Sequence, residues 1–381
     1  MLDPQIAIQI KGRSKRHPYN GLFLTKDNMN LNLSNIKAQL TPRNIHWRFF
    51  RRRVPGSLSA MYLRAFAAPA PPGLTLLKLP TYDRLGQTCH PDALLHDGKV
   101  ILAATPYPFG CDWYENPSLF ISDDGLNFKT PNGCPNPIIY QNPDPAFRKR
   151  MNFRDHLSDN EIHFWGGKYR LLFRQCYFYS PPESSQPNHN TMIHMRDGLF
   201  LMDSPDLIHW SKKELLAQSD KNTLISPTIT EQKGGRMMYV ISSAIDESQT
   251  ALKRYELRDE LCGHKLQYDR PIDVEGIPDG KLLWHIDIVP DGDVLRGLFV
   301  LADKIGGHGS ELYYTESRDN GQSFNILNPI IPCPDWQKYL RMIYRSSMIK
   351  RKDGKWDLFI SAMTKKYTWH TYLIRGIKFS E

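Results

Sequence analysis

No apolar run in this 381-residue chain reaches the roughly 18 residues of a membrane-spanning helix, and the N-terminal stretch MLDPQIAIQIKG carries no secretory h-region. No membrane partner is therefore expected. The six cysteines (Cys89, Cys111, Cys134, Cys176, Cys262, Cys333) never fall into C-x-x-C spacing, which argues against a zinc ribbon or a disulfide framework and leaves reduced thiols. No H-x-H or H-x-x-x-H pair occurs either. His90, His156 and His285 with Asp159 are accordingly not read as a metal site, and no metal or other cofactor is expected. Acid is scarce in one region only: residues 1–60 hold Asp3 and Asp27 against eleven Lys and Arg, while 38 of the 49 basic and 38 of the 40 acidic residues lie beyond. The formal charge of +9 thus belongs to a basic N-terminal arm, densest at Arg51-Arg52-Arg53. An acidic protein partner suits such an arm, and the lack of RNA-binding motifs speaks against nucleic acid.

What is present is a repeat. A strand-like apolar run, a tight Gly-containing turn and a second run rich in aromatic and β-branched residues occur five times: HPDALLHDGKVILAA from His90, SDNEIHFWGGKYRLLFR from Ser158, SPTITEQKGGRMMYVIS from Ser226, WHIDIVPDGDVLRGLFV from Trp284 and RSSMIKRKDGKWDLFIS from Arg345. The turns Asp97-Gly98, Gly166-Gly167, Gly234-Gly235, Asp291-Gly292 and Asp353-Gly354 suit two-residue hairpins, whose central positions need φ > 0. A spacing of roughly 60 to 70 residues is too long for a solenoid rung and fits one four-stranded propeller blade.

A second element, SDDGLNF from Ser122, SPDLIHW from Ser204 and SRDNGQSF from Ser317, places Ser and Asp where their side chains cap turn N–H groups. The predicted fold is all-β: a five-bladed β-propeller over residues 61–381 behind a basic N-terminal extension over 1–60. Its blades start near residues 90, 159, 226, 285 and 345. Residues 51–72 read as a linker, and the Pro-rich stretch from Ala68 to Gly73 marks a boundary. The last blade is a strand short, so a segment from 61–80 is predicted to supply one and close the ring.

These hairpins, with the S-x-D-L-x-x-W form of SPDLIHW and the Asp-box-like SDDGLNF and SRDNGQSF, resemble the five-bladed propeller glycoside hydrolases of the arabinanase/xylosidase and invertase/levansucrase type. HPDALL with TPYPFGCDWYENPSLFISDDGLNF also looks like propeller modules of phage and prophage virion proteins. The resemblance implies a carbohydrate ligand in a central funnel, acids at the beginnings of the inner strands, and hydrolysis of a glycosidic bond. Where those hydrolases carry Asp-Pro in the first blade and Glu-Gly-Pro in the third, this chain has His90-Pro91 and Ile225-Ser226-Pro227.

Aligned on their turns, the hairpins put His90, Asp159, Ser226, Trp284 or His285, and Arg345 at equivalent first positions. Period-two alternation adds Asp92, Glu161 and Asp287 on the same face. Asp159 and Asp287 are read as orienting the sugar and activating water, with Asp92 or Glu161 as the second carboxylate and His285 or His90 as proton donor. Arg345 and Arg154 are assigned to a carboxylate or hydroxyls of the substrate, as for an acidic glycan, with Ser226 beside them. Trp113, Tyr114 and Trp284 are assigned to sugar stacking. Each acid has a structural alternative as a turn cap or an ion-pair partner of arginine. The rival functions are a non-catalytic glycan-binding module of a phage tail or virion and an intracellular scaffold; the expected location is cytoplasmic or virion-associated.

Overall fold

The repeated turns each close an antiparallel hairpin in the computed structural model, which describes residues 55–65, 70–141, 155–179, 193–244, 250–260, 263–304 and 306–379. The basic arm up to residue 54, and Arg154 with it, lie outside the described residues. Strand β1 (Thr75–Leu76) precedes the first hairpin, β2 (Thr88–His96) and β3 (Lys99–Pro106). Both turn residues here, Asp97 and Gly98, take positive φ (48° and 73°), the conformation a tight two-residue turn needs. Strand β4 (Ser118–Ser122) completes this three-stranded sheet.

The second sheet runs β5 (His156–Trp165), β6 (Lys168–Tyr179), β7 (Ile193–Ser204) and β8 (Glu214–Ser219). An eight-stranded sheet follows, built from two antiparallel halves. One half is β9 (Asn222–Gln232), β10 (Gly235–Ala244), β11 (Thr250–Glu260) and β12 (Gly263–Glu275). The other is β13 (Leu282–Asp291), β14 (Val294–Ala302), β15 (Glu311–Ser317) and β16 (Ser323–Pro329). They join through a short parallel pairing of β12 with β16, from Asp273↔Ser323 to Glu275↔Asn325. The turns between β9 and β10 and between β13 and β14 are Lys233-Gly234 and Gly292-Asp293, each displaced by one residue from the dipeptide read in the sequence.

The final sheet holds β17 (Leu340–Ile343), β18 (Ser347–Lys350), β19 (Trp356–Thr364) and β20 (Trp369–Ile377). Its outer edge is β1, with Thr75 opposite Leu373 and Leu76 opposite Tyr372. Residues Gly56–Ala65, inside the stretch read as a linker, form helix α1. Leu, Met and Ala favour a helix there, Ser59 bonds back to Gly56 O, and Pro55 stands just before the first turn.

Apolar clusters lie between neighbouring sheets. Ile101, Leu119, Leu157 and Leu171 fill the space between the first and second sheets; Leu172, Leu199, Met238 and Val240 join the second to β10. Ile241, Phe299, Leu301, Leu358 and Ile360 carry the packing onward, and Leu102, Phe120, Phe359 and Leu373 return it to the first sheet. Full burial of each such side chain is worth about 1.5–3 kcal/mol, so the interfaces between sheets hold them at fixed angles. At the edges, Ser122 and Asp124 accept the N–H groups of Gly125, Leu126 and Asn127, and Asp206 and Asp319 cap their turns in the same way.

The inner strands share one irregularity. Pairing is interrupted between Cys89 and Asp92 in β2, between Ser158 and Glu161 in β5, and between Ile225 and Thr228 in β9. The first residue of each bulge, His90, Asp159 and Ser226, has φ of 49°, 51° and 48°. For a side-chain-bearing residue this left-handed conformation costs on the order of 1–3 kcal/mol, and its return is a re-aimed side chain. In β13 the slip falls before His285, and the last inner strand is split into β17 and β18 with Arg345 in the gap.

Candidate functional site

The bulged side chains meet. His90 Nδ1 lies 3.1 Å from Asp159 Oδ1, and His285 Nδ1 lies 3.4 Å from the same oxygen. Ser226 Oγ shares a 2.6 Å hydrogen bond with His285 Nδ1 and donates to Asp159 Oδ1 at 3.3 Å. From β6, Arg174 Nη1 donates to Asp159 Oδ2 at 3.0 Å, while its Nε sits 3.3 Å from Asp197 Oδ2 of β7. Asp197 is itself fixed by the Leu224 N–H at 2.7 Å. On the far side of His90, Nε2 lies 3.6 Å from Glu115 Oε2, a residue carried by the loop between β3 and β4.

All four of His90, Asp159, His285 and Glu115 are at most 3% exposed. Among the described residues His285 Nε2 and Glu115 Oε2 have no hydrogen-bond partner, so the centre holds buried polar atoms in need of one.

Burial acts differently on each group. It opposes ionisation of Asp159, but His90, Arg174 and the imidazole hydrogen bonds outweigh it and hold that carboxyl well below the usual range. Burial drives Glu115 up to about 8, with His156 pulling it back and Asp112 and Asp159 reinforcing the rise. Burial also lowers both imidazoles, His285 to about 3, against the attraction of Asp159. At neutral pH the centre therefore contains an ionised carboxylate, two neutral imidazoles and a largely protonated carboxylic acid. His90, Asp159 and His285 can each offer one ligand atom within 4.8 Å of the others. Two neutral imidazoles with one carboxylate are a donor set for a divalent transition ion. The linear spacing of these residues hides the set, because the fold assembles it from β2, β5 and β13.

Two residues further along each strand, the remaining acids are engaged with backbone. Asp92 Oδ2 accepts the Ile162 N–H at 2.7 Å, Glu161 Oε1 the Ile229 N–H at 2.5 Å, and Asp287 Oδ2 the Met348 N–H at 2.9 Å. Each bond passes from one inner strand to the next. Arg345, fully buried, lies at their centre: its Nη2 is 3.7 Å from Glu161 Oε2 and 3.9 Å from Asp92 Oδ1, and donates to Pro227 O at 3.3 Å. Asp287 feels the same guanidinium. Burial, then the neighbouring acids, push Asp92 up to about 7 and Asp287 well above its ordinary value.

The other residues singled out in the sequence are spread more widely. Trp113 is half-buried and its carbonyl accepts from Asn116, whereas Tyr114 is wholly inside the core. Trp284 packs beside His285, its ring 4.9 Å from the imidazole. It belongs to a row of rings. Tyr344 lies 4.2 Å from His285 and 5.0 Å from His90, Trp369 lies 5.0 Å from Tyr344, and Tyr107 lies 5.2 Å from Trp369. Sequence reasoning reaches Glu115 only as the neighbour of Trp113 and Tyr114 in a loop assigned to binding, and passes over Arg174, Asp197 and Tyr344 as site residues. Arg174 alone leaves a signal, a cation inside the apolar run LLFRQC.

No protein-family model matches the chain, and no curated protein matches it. Solved structures do resemble it. An N-acetylgalactosamine deacetylase from F. plautii, determined with blood group B trisaccharide, aligns over 80% of this chain and 94% of its own, with a TM-score of 0.62 at 17% identity. A family 43 endo-arabinanase from Bacillus licheniformis aligns over 77% of this chain and 95% of its own, with a TM-score of 0.53 at 11% identity. A xylan β-1,4-xylosidase from Bacillus halodurans gives 0.55 at 11% identity over 82% of this chain, which spans about half, 54%, of the xylosidase. At these identities the shared property is the fold, that of the β-propeller glycoside hydrolases and their deacetylase neighbour.

Proposed function

We propose that this chain is a five-bladed propeller that takes a carbohydrate into its central chamber and hydrolyses a bond in it at His90, Asp159, His285 and Glu115. The observation that carries the reading is the convergence of two neutral imidazoles and one ionised carboxylate within 4.8 Å, beside a protonated acid. These residues fit a divalent transition ion, held by one atom each from His90, Asp159 and His285. Such an ion, when bound, supplies Lewis-acid polarisation and a more acidic water. Arg174, anchored by Asp197, keeps the Asp159 carboxylate ionised and oriented. Glu115 holds a proton on the other face of His90, where it serves the leaving group.

This arrangement favours removal of an acyl group from a sugar over cleavage between sugars. The two-carboxylate route to glycosidic cleavage needs acids free to face the substrate. Asp92, Glu161 and Asp287 instead accept backbone N–H groups and surround Arg345, which suits them to holding neighbouring inner strands together. In this reading Arg345 neutralises those acids and does not touch substrate.

A second reading, glycosidic cleavage, is favoured by the opposite shifts of Asp159 and Glu115, since one ionised and one protonated carboxyl are what a glycosidase divides its work between. Incubation of the whole chain with N-acetylated and non-acetylated glycans, with Asp159→Asn as control, separates them. Acetate release supports the first reading and new reducing ends the second. Binding without either product selects the non-catalytic glycan-binding module of a phage tail or virion and overturns both.

A further inference from the structure

His90 stands between two groups of donors. Its Nδ1 faces Asp159, with His285 beyond, whereas its Nε2 faces Glu115 Oε2 at 3.6 Å. On that second side Cys89, His90 and Glu115 can each offer one ligand atom within 4.8 Å of the others. All three are at most 3% exposed. Both added members have bonding capacity to spare. Among the described residues the buried Glu115 Oε2 has no hydrogen-bond partner. The Thr105 hydroxyl donates to Cys89 O at 3.3 Å, which makes the thiol the donor across the 3.2 Å contact between Cys89 Sγ and Thr105 Oγ1 and leaves the sulfur lone pairs unused. The other thiol of this region, Cys176, is engaged by Arg174 Nε at 2.8 Å.

The imidazole decides between the two groups. A neutral ring has one in-plane lone pair, on whichever nitrogen lacks the proton. A proton on Nδ1 faces the ionised Asp159 carboxylate at 3.1 Å and is stabilised there, which puts the lone pair on Nε2, toward Glu115 and Cys89. Moving the proton to Nε2 turns the lone pair toward Asp159 and His285. One neutral ring cannot serve both sides at once. The donor types differ as well: two imidazoles and a carboxylate accept borderline and harder ions, whereas thiolate, imidazole and carboxylate together select a thiophilic one.

We propose that Cys89, His90 Nε2 and Glu115 form a second ion seat, taken by thiophilic divalent ions such as cadmium and excess zinc, whose occupation excludes an ion held through His90 Nδ1 with Asp159 and His285. Binding there puts the ion in place of the protons of the Cys89 thiol and the Glu115 carboxyl, and both protons leave to solvent. Glu115 then has no proton to give a leaving group, so the seat is inhibitory. That consequence rests on the hydrolytic reading above; the binding itself does not.

The test uses the full chain, reduced and stripped of metal by chelation, titrated with cadmium and with manganese. Cadmium should raise the ultraviolet charge-transfer absorption of a metal thiolate to saturation. Cys89→Ser and Cys89→Ala should abolish its tightest phase, and Cys134→Ser, which removes a more exposed thiol, should keep it. Glu115→Gln should weaken cadmium about tenfold or more, since even a partner outside the ligand set is worth that much. Manganese, followed by calorimetry, should give no such band and bind Cys89→Ser as it binds wild type. In excess it should move the cadmium midpoint to higher concentration. Should neither Cys89 variant fold, the competition against the wild-type band and the Glu115→Gln effect decide. A tight phase that survives loss of Cys89, or cadmium and manganese that bind together without mutual effect, overturns the inference. A Cys89-dependent band in a chain that releases no product from any glycan sinks only the hydrolytic reading. Product released at an undiminished rate with the band saturated overturns the inhibitory seat and leaves that reading standing.

Discussion

Asp287 Oδ2 accepts the backbone N–H of Met348 at 2.9 Å and so ties β13 to β18 through a side chain, where no sheet pairing joins them. Asp92 and Glu161 make the corresponding ties to Ile162 and Ile229. Removing the acceptor strands a buried N–H, which costs about 1–3 kcal/mol. Asp287→Ala should lower the unfolding free energy measured in urea by that amount, while Asp287→Asn, which keeps an acceptor oxygen, should lose less. Equal losses for the two variants would show that charge, not the hydrogen bond, is what matters here.

Arg345 compensates the acids around it. Breaking one side of a buried ionic cluster costs about 3–5 kcal/mol because the other side stays buried and unpaired. Arg345→Met should therefore destabilise the chain by about that amount in chemical denaturation. A loss below about 1 kcal/mol would mean that protons on Asp92 and Asp287 already balance the cluster.

Asp159→Asn should reduce hydrolysis by about 10²-fold or more, the usual worth of a positioned acid or base. Arg174→Gln should act through Asp159 and move the pH profile of activity, because the carboxylate loses the guanidinium that keeps it ionised. Arg174→Lys should restore part of the profile. An unshifted profile in Arg174→Gln would remove Arg174 from the machinery.

Metal analysis of the purified chain should find about one equivalent of a divalent transition ion, lost on prolonged chelation together with activity. His285→Gln should bind it more weakly. Full activity in a demonstrably metal-free sample would leave the glycosidic reading standing and end the metal-assisted one.

His370 and Asp83 tilt stability with pH in opposite directions. Burial lowers His370 to about 4, so between about pH 6.5 and 4 the unfolded chain binds a proton that the folded chain refuses. Its contribution falls as pH drops through that window. Burial raises Asp83 to about 6, so between about pH 4 and 6 the folded chain keeps a proton that the unfolded one releases, and stability falls as pH rises. Relative to wild type, His370→Phe should gain stability on acidification, and Asp83→Asn should gain on going from pH 4 to 6. Denaturant midpoints across pH 4–7 measure both slopes.

The hairpins were legible because their determinants are local: Asp97-Gly98 and Gly166-Gly167 state a backbone conformation in two residues. Where two glycines or an Asp-Gly-Asp run allow neighbouring registers, as at Lys233-Gly234 and Gly292-Asp293, the boundary slips by one. Strand β1 is two residues long and leaves no periodic trace, and α1 is short enough to read as linker. In the site, aligning the repeats brings His90, Asp159, Ser226, His285 and Arg345 to one level, but the alignment carries no information on depth. Depth is what separates the His90, Asp159 and His285 cluster from the acids around Arg345 two residues along. Glu115 and Tyr344 enter from a loop and a strand break, positions that no repeat register can specify.

The pairing of Thr75 with Leu373 and Leu76 with Tyr372 gives the order of synthesis a physical consequence. Strand β1 leaves the ribosome before every other strand described here, yet among the described strands it pairs only with β20, which leaves after all of them. Until the last sheet is made, Leu77 and Leu79 have Val100, Leu102 and Phe120 beside them but lack Ile349, Phe359 and Leu373, and Leu74 lacks the part of its cluster that β18 to β20 supply. That interval is when the nascent chain is most exposed to aggregation, and when a holding chaperone has the most to protect.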